Sequence, residues 1–154
     1  MTVGARLAAF FLTAALFSVV FVAPTAFFPF IGIRDYWFRF CVSVAAGIVL
    51  LLCGFSKESD ALSGRFRALT RSPLFLAVSF FVFSFLLATA FAHDRPAAFW
   101  SNFERGEGGF QMIYYYLFFA LLLLVIRTWR SWRALLWSAS FASLLVAAYG
   151  VLAA

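Results

Sequence analysis

The sequence predicts an all-α, polytopic integral membrane protein of about five transmembrane helices, N-in and C-out, and three observations carry that prediction. Mean hydropathy is +1.00. Only 12% of the residues are charged, against about 25% in soluble domains. Five apolar runs, uncharged but for Arg39 near the start of the second, also approach or exceed the roughly 20 residues that a helix, rising 1.5 Å per residue, needs to cross a ~30 Å hydrocarbon core. Helices are required because an unpaired backbone group in lipid is too costly for any open structure. A β-barrel would alternate polar and apolar residues, and runs such as "LFFALLLLVI" do not.

The first span is predicted at about 7–31, beginning after Arg6. A cleavable signal peptide is the competing reading of this run. It is set aside because the run exceeds the 7–15 residues of a usual signal core, and Pro24 is badly placed for cleavage after Ala26. The second span is predicted at about 36–55, the third at 73–92, the fourth at 109–126 and the fifth at 134–153, all in a single bundle covering 1–154. Between the second and third, "ESDALSGRFRALTRSP" reads as a short surface helix with Leu62, Phe66 and Leu69 toward lipid and Arg65, Arg67 and Arg71 toward headgroups. Between the fourth and fifth, "RTWRSWR" places Arg and Trp around one turn at the interface.

Orientation follows from the loop cations. With a cytoplasmic N-terminus, the inner side holds Arg6, Lys57, Arg65, Arg67, Arg71, Arg127, Arg130 and Arg133, and the outer side holds Arg34, Arg39, Arg95 and Arg105. This eight-to-four split favours N-in by the positive-inside rule. The formal net charge of +6 is therefore a topology signal and no nucleic-acid partner is expected. The expected partner is the lipid bilayer.

The outer loop, 93–108, carries the densest cluster of charge and glycine. "HDRPAAFW" has an Asp-Arg-Pro helix start with Pro96 in the first turn, and Phe99, Trp100 and Phe103 then fall on one face of a short interfacial helix. Gly106, Gly108 and Gly109 are expected to turn the chain into the fourth span, glycine reaching positive φ cheaply. Glu104, Arg105 and Glu107 are then held at the mouth of the bundle. They suit a solvated ion-paired face or an anion site.

Other chemistry finds no support. Cys41 and Cys53 lie twelve residues apart in one predicted helix and on different faces, which rules out a shared metal. Paired histidines, a Walker loop and a nucleophile elbow are absent from the sequence. No metal and no cofactor are expected. Span interiors hold Ser, Thr and Gln111, with Arg39 near an end from which it would snorkel, so an ion-coupled transporter is disfavoured. Ser43 and Gly47 form a small-residue pair suited to close helix packing.

The segment Phe99-Trp100-Ser101-Asn102-Phe103-Glu104-Arg105-Gly106-Glu107-Gly108-Gly109, followed by "FQMIYYYLFFALLLLVI", resembles the outer loop of bacterial O-antigen ligase-like membrane proteins. That family includes O-antigen ligases and polysaccharide polymerases. The resemblance covers about Leu86 to Leu124; elsewhere only the hydropathy profile matches. It implies a multi-pass protein of the bacterial inner membrane and a reaction on the periplasmic face, where an undecaprenyl-pyrophosphate-linked glycan passes to an acceptor. A guanidinium fork matches a diphosphate well. By motif position Arg105 is the first candidate for substrate binding, with Glu104, Arg95 and Arg34 beside it. Family members have many more spans and a large periplasmic loop in their second half, and His93 does not match the family's histidine. The resemblance thus implies an N-terminal portion, inactive alone. A non-catalytic membrane scaffold or assembly partner is the alternative, ahead of a small transporter subunit; oligomeric state is open.

Overall fold

The computed structural model describes residues 2–21, 32–55, 59–101 and 107–152. Its elements are α1 (Val3–Ala15), continued by a 3-10 segment at Leu16–Val20, α2 (Gly32–Phe55), α3 (Ser59–Thr70), α4 (Pro73–Ala90), α5 (Arg95–Trp100), α6 (Gly109–Val125) and α7 (Trp129–Leu152). The protein is all-α and polytopic. Four helical segments, Val3–Val20, α2, α4 and α7, are long and apolar enough to cross a membrane. The remaining run, the fourth, forms α6, whose 17 residues rise only about 26 Å.

Most helix starts lie outside the uncharged runs, because charge marks where a helix meets the headgroups without ending it. Thr2 caps α1, its Oγ1 accepting from the Ala5 amide at 3.4 Å, so Arg6 sits inside the first turns. The helix α2 begins at Gly32 and thereby takes in Arg34, Asp35 and Arg39. Thr128 Oγ1 accepts from the Ser131 amide at 3.2 Å, which starts α7 five residues ahead of Ala134. Pro73 opens α4 at the expected position. The predicted end of the first span, at 22–31, lies outside the described residues.

The core forms where α1 lies on α2. Ala5, Ala8, Leu12 and Ala15 fall on one face of α1 and are buried, as are Cys41, Val42, Ala45 and Val49 of α2. In lipid, where tails are as apolar as leucine, such contacts hold helices by close van der Waals packing, and small residues permit it. A Cβ on Gly4 would come within 2.8 Å of Leu52 Cδ2, whereas one on Gly47 would meet nothing within 4 Å. The close approach therefore uses the α1 alanines and Gly4, and not the Ser43–Gly47 pair. Trp37 Nε1 donates to the Ala14 carbonyl at 2.9 Å and ties the same two helices.

The short helix α6 occupies the centre, touching α1, α2, α3, α4 and α5. Leu121, Leu124 and Val125 complete the core cluster. Beside it α4 exposes Phe80, Phe81 and Phe83, and α7, which packs on the 3-10 segment and α1, exposes Trp137, Phe141 and Leu144, as lipid-facing surfaces do. Span hydroxyls are satisfied locally: Ser79, Thr89, Ser138 and Ser143 each donate to the carbonyl four residues back. Ser79 also shares a 2.7 Å hydrogen bond with Tyr116, joining α4 to α6.

The surface helix α3 corrects its expectation. Leu62 is buried in the core cluster and Leu69 packs against it, so both face protein; Phe66 alone of the three is exposed. Arg65 also turns inward, its Nη2 donating to the Leu123 carbonyl at 3.4 Å near the end of α6, while Nη1 is buried with no partner. Burial lowers the pKa of this guanidinium, and the like charge of Arg127 lowers it further.

Candidate functional site

Polar groups converge at one end of the bundle, where the 3-10 segment after α1, the start of α2 and the start of α6 surround a cavity of about 240 Å³. Its polar lining is Ser18, Arg34, Asp35, Glu107, Gln111 and Tyr115; Phe38, Leu16 and Val19 supply apolar wall. Ionisable groups are rare at such places in a membrane protein because desolvation penalises them, and they mark function by default.

Each group is placed by its helix. Asp35 lies in the first turn of α2, where the helix dipole favours a carboxylate. It is only 7% exposed. Arg34 Nε lies 3.5 Å from its Oδ1, and the charges of Arg34, Arg39 and Glu107 all act on it. One turn further along α2, Arg39 does not snorkel. It turns inward and donates from Nε to Gln111 Oε1 at 2.7 Å, with its guanidinium carbon 4.9 Å from the centroid of the Phe110 ring. Gln111 is 1% exposed, and its Nε2 has no hydrogen-bond partner. Glu107 stands at the exposed rim.

Beside this cavity α5 and the start of α6 form an aromatic cluster. Asp94 caps α5, accepting from the Ala97 amide at 3.1 Å with Pro96 in the first turn, as its sequence predicts. Phe99, Trp100 and Phe110 then pack with centroids 5.1–6.2 Å apart, and Tyr114 extends the group from Phe110 at 5.2 Å. Gly108 is demanded by space and not by a left-handed backbone. A Cβ there would lie 2.4 Å from the Phe99 carbonyl oxygen. The one positive φ outside glycine among the described residues is at Ser101, 65°.

The predicted site residues separate. Arg34 lines the polar cavity with Glu107. Arg95 is exposed and borders a different, apolar cavity of about 380 Å³ with Leu86, Thr89, Ala90, Phe99 and Ile113. Glu104, Arg105 and Gly106 lie outside the described residues, as does Phe103. Sequence reasoning passed over Asp35 and gave Gln111 no role. The signal for Asp35 was its spacing of four from Arg39, which puts both on one face of a helix. Among the described residues no group of three metal-ligating side chains is brought together, and Cys41 and Cys53 are free.

No family model, curated protein or solved structure matches the chain.

Proposed function

We propose that the chain is the N-terminal portion of an O-antigen ligase-like membrane protein. In this reading it sits in a bacterial inner membrane with the α5 end facing the periplasm, and there it recognises a glycan carried on undecaprenyl pyrophosphate. The observation that carries the reading is the meeting of Arg34 and Glu107 in one cavity. One belongs to the head of α2 and the other to the motif segment Phe99–Gly109, so the loop that resembles the family is built into a charged recess at the end of the bundle. Arg105, with Glu104 beside it, is the diphosphate-binding candidate by motif position, and exposed Arg95 lies within the same loop. A guanidinium there opposes the charge of a leaving diphosphate with paired hydrogen bonds. The role assigned to these residues is recognition; the reading assigns them no transfer step.

The test is binding of a short-chain polyprenyl diphosphate carrying N-acetylglucosamine to the chain in lipid nanodiscs. Saturable binding that weakens at least about tenfold in Arg105→Ala, the loss of one charge-assisted contact, supports the reading. No binding by the unaltered chain overturns it.

A further inference from the structure

The amide of Gln111 is fixed in direction and only half used. Its Oε1 accepts from Arg39 Nε at 2.7 Å, and Arg39 is itself seated over Phe110, so the amide cannot flip without breaking that contact. The Nε2 donor is left without a partner on a residue 1% exposed that lines the polar cavity. Buried donors are normally satisfied, and one that is not calls for an explanation in function.

The rest of the lining says what kind of acceptor suits it. Two carboxylates, Asp35 and Glu107, face the space with one guanidinium, Arg34, which is already within 3.5 Å of Asp35. The guanidinium of Arg39 is engaged behind Gln111. Counting Arg39, whose charge also acts on Asp35, the two carboxylates are matched by two guanidiniums, so the recess holds no net positive charge to draw an anion. A neutral group rich in hydroxyls would instead donate to the carboxylates, accept from Gln111, and exchange hydrogen bonds with Ser18 and Tyr115, each hydroxyl serving both ways. Phe38 and Tyr115 offer ring surface to its C–H face. The 240 Å³ volume corresponds to roughly eight water shares of liquid, which is room for one sugar ring.

We infer that this cavity is a monosaccharide subsite in which Gln111 donates to a sugar oxygen, Glu107 and Asp35 accept from sugar hydroxyls, and Arg39 is the positioning residue that aims the Gln111 amide. The natural source of the sugar rests on the lipid-linked-glycan reading; the hydroxyl chemistry rests on the cavity alone. The diphosphate is thereby assigned elsewhere, to the loop that carries Arg95 and Arg105.

Saturation-transfer NMR on the chain in nanodiscs tests this, with methyl β-D-glucopyranoside and methyl β-D-N-acetylglucosaminide as probes and inorganic diphosphate as competitor. The expected result is transfer to at least one pyranoside. Its affinity falls about tenfold, the worth of one aimed hydrogen bond, in Gln111→Leu and in Glu107→Gln, and is unchanged in Arg71→Gln at the other end of the bundle. Arg39→Leu weakens it and Arg39→Lys restores part of it, which a purely structural role would not do if both variants keep the same unfolding temperature. Glu107 is on the exposed rim, so its variant keeps the test valid if Gln111→Leu misfolds. No transfer to either pyranoside, equal transfer in a folded Gln111→Leu, or displacement by diphosphate overturns the inference. Pyranoside binding without binding of the diphosphate-linked compound keeps the subsite and ends the larger reading; the reverse ends the subsite alone.

Discussion

Arg39 on α2 and Gln111 on α6 are joined by a 2.7 Å hydrogen bond across 72 residues of sequence, and Gln111 in turn lines the polar cavity. Removing one partner should cost more than removing both, because a half-buried charge left without its acceptor retains the full desolvation penalty. Gln111→Leu is expected to destabilise the protein by about 1–3 kcal/mol, and adding Arg39→Leu to restore part of that. A double-mutant cycle on thermal unfolding in nanodiscs measures the coupling. Additive losses would mean that the pair does not hold α2 to α6.

Gly108 and Gly47 are predicted to respond oppositely to alanine. At Gly108 the new methyl would collide with backbone, the Phe99 carbonyl at 2.4 Å, which cannot move aside as a side-chain tip can. The expected loss is about 1–3 kcal/mol, together with a shift in the fluorescence of Trp100, whose ring packs on Phe110. At Gly47, within α2 and with open space around it, alanine should be neutral or stabilise by up to about 1 kcal/mol. A stable Gly108→Ala with unaltered emission would mean that the α5–α6 turn is looser than described.

These cases mark what the sequence carried and what it could not. Helix number and type follow from apolar runs and the cost of bare backbone in lipid, and Asp94-Arg95-Pro96 announced α5 by local capping alone. The glycines were expected to turn the chain, but the reason differs: Gly108 is needed where two backbone segments meet, a contact that no propensity contains. Helices begin before the predicted spans, because Arg6, Arg34 and Arg133 bound the apolar runs yet lie inside helices that run through them. The cavity was out of reach for a similar reason. Asp35 and Gln111 belong to helices far apart in sequence, and only their packing makes a buried carboxylate and an unpaired amide neighbours. Leu62 shows the same limit on α3, since periodicity finds an apolar face without saying whether lipid or protein covers it.

At the opposite end, the partly buried guanidinium of Arg65 is destabilised by burial and then by Arg127. Arg127→Gln removes the like charge and leaves the Arg65 bond to the Leu123 carbonyl intact. In zwitterionic nanodiscs at low salt it should raise the unfolding temperature, by the equivalent of up to about 1 kcal/mol, and the gain should shrink as salt screens the pair. A lowered unfolding temperature would show that Arg127 stabilises the α6–α7 connection in some other way.

The orientation decides whether the cavity can meet a periplasmic substrate at all. Eight of the twelve Lys and Arg residues fall in the loops assigned to the cytoplasm, and each positive charge carried across during insertion opposes the membrane potential by about 2.3 kcal/mol per 100 mV. His93, exposed between α4 and α5, and Thr128, at the head of α7, lie at opposite ends of the bundle. With Cys41 and Cys53 replaced by alanine, a cysteine at position 93 is expected to react with a membrane-impermeant maleimide from the periplasmic side of intact cells. One at position 128 should react only after the membrane is opened. The cavity shares its end with α5, through Glu107 and the Phe99–Phe110 cluster. Reversed labelling would place Arg34, Glu107 and Gln111 in the cytoplasm, where a glycan presented on the outer leaflet cannot reach them.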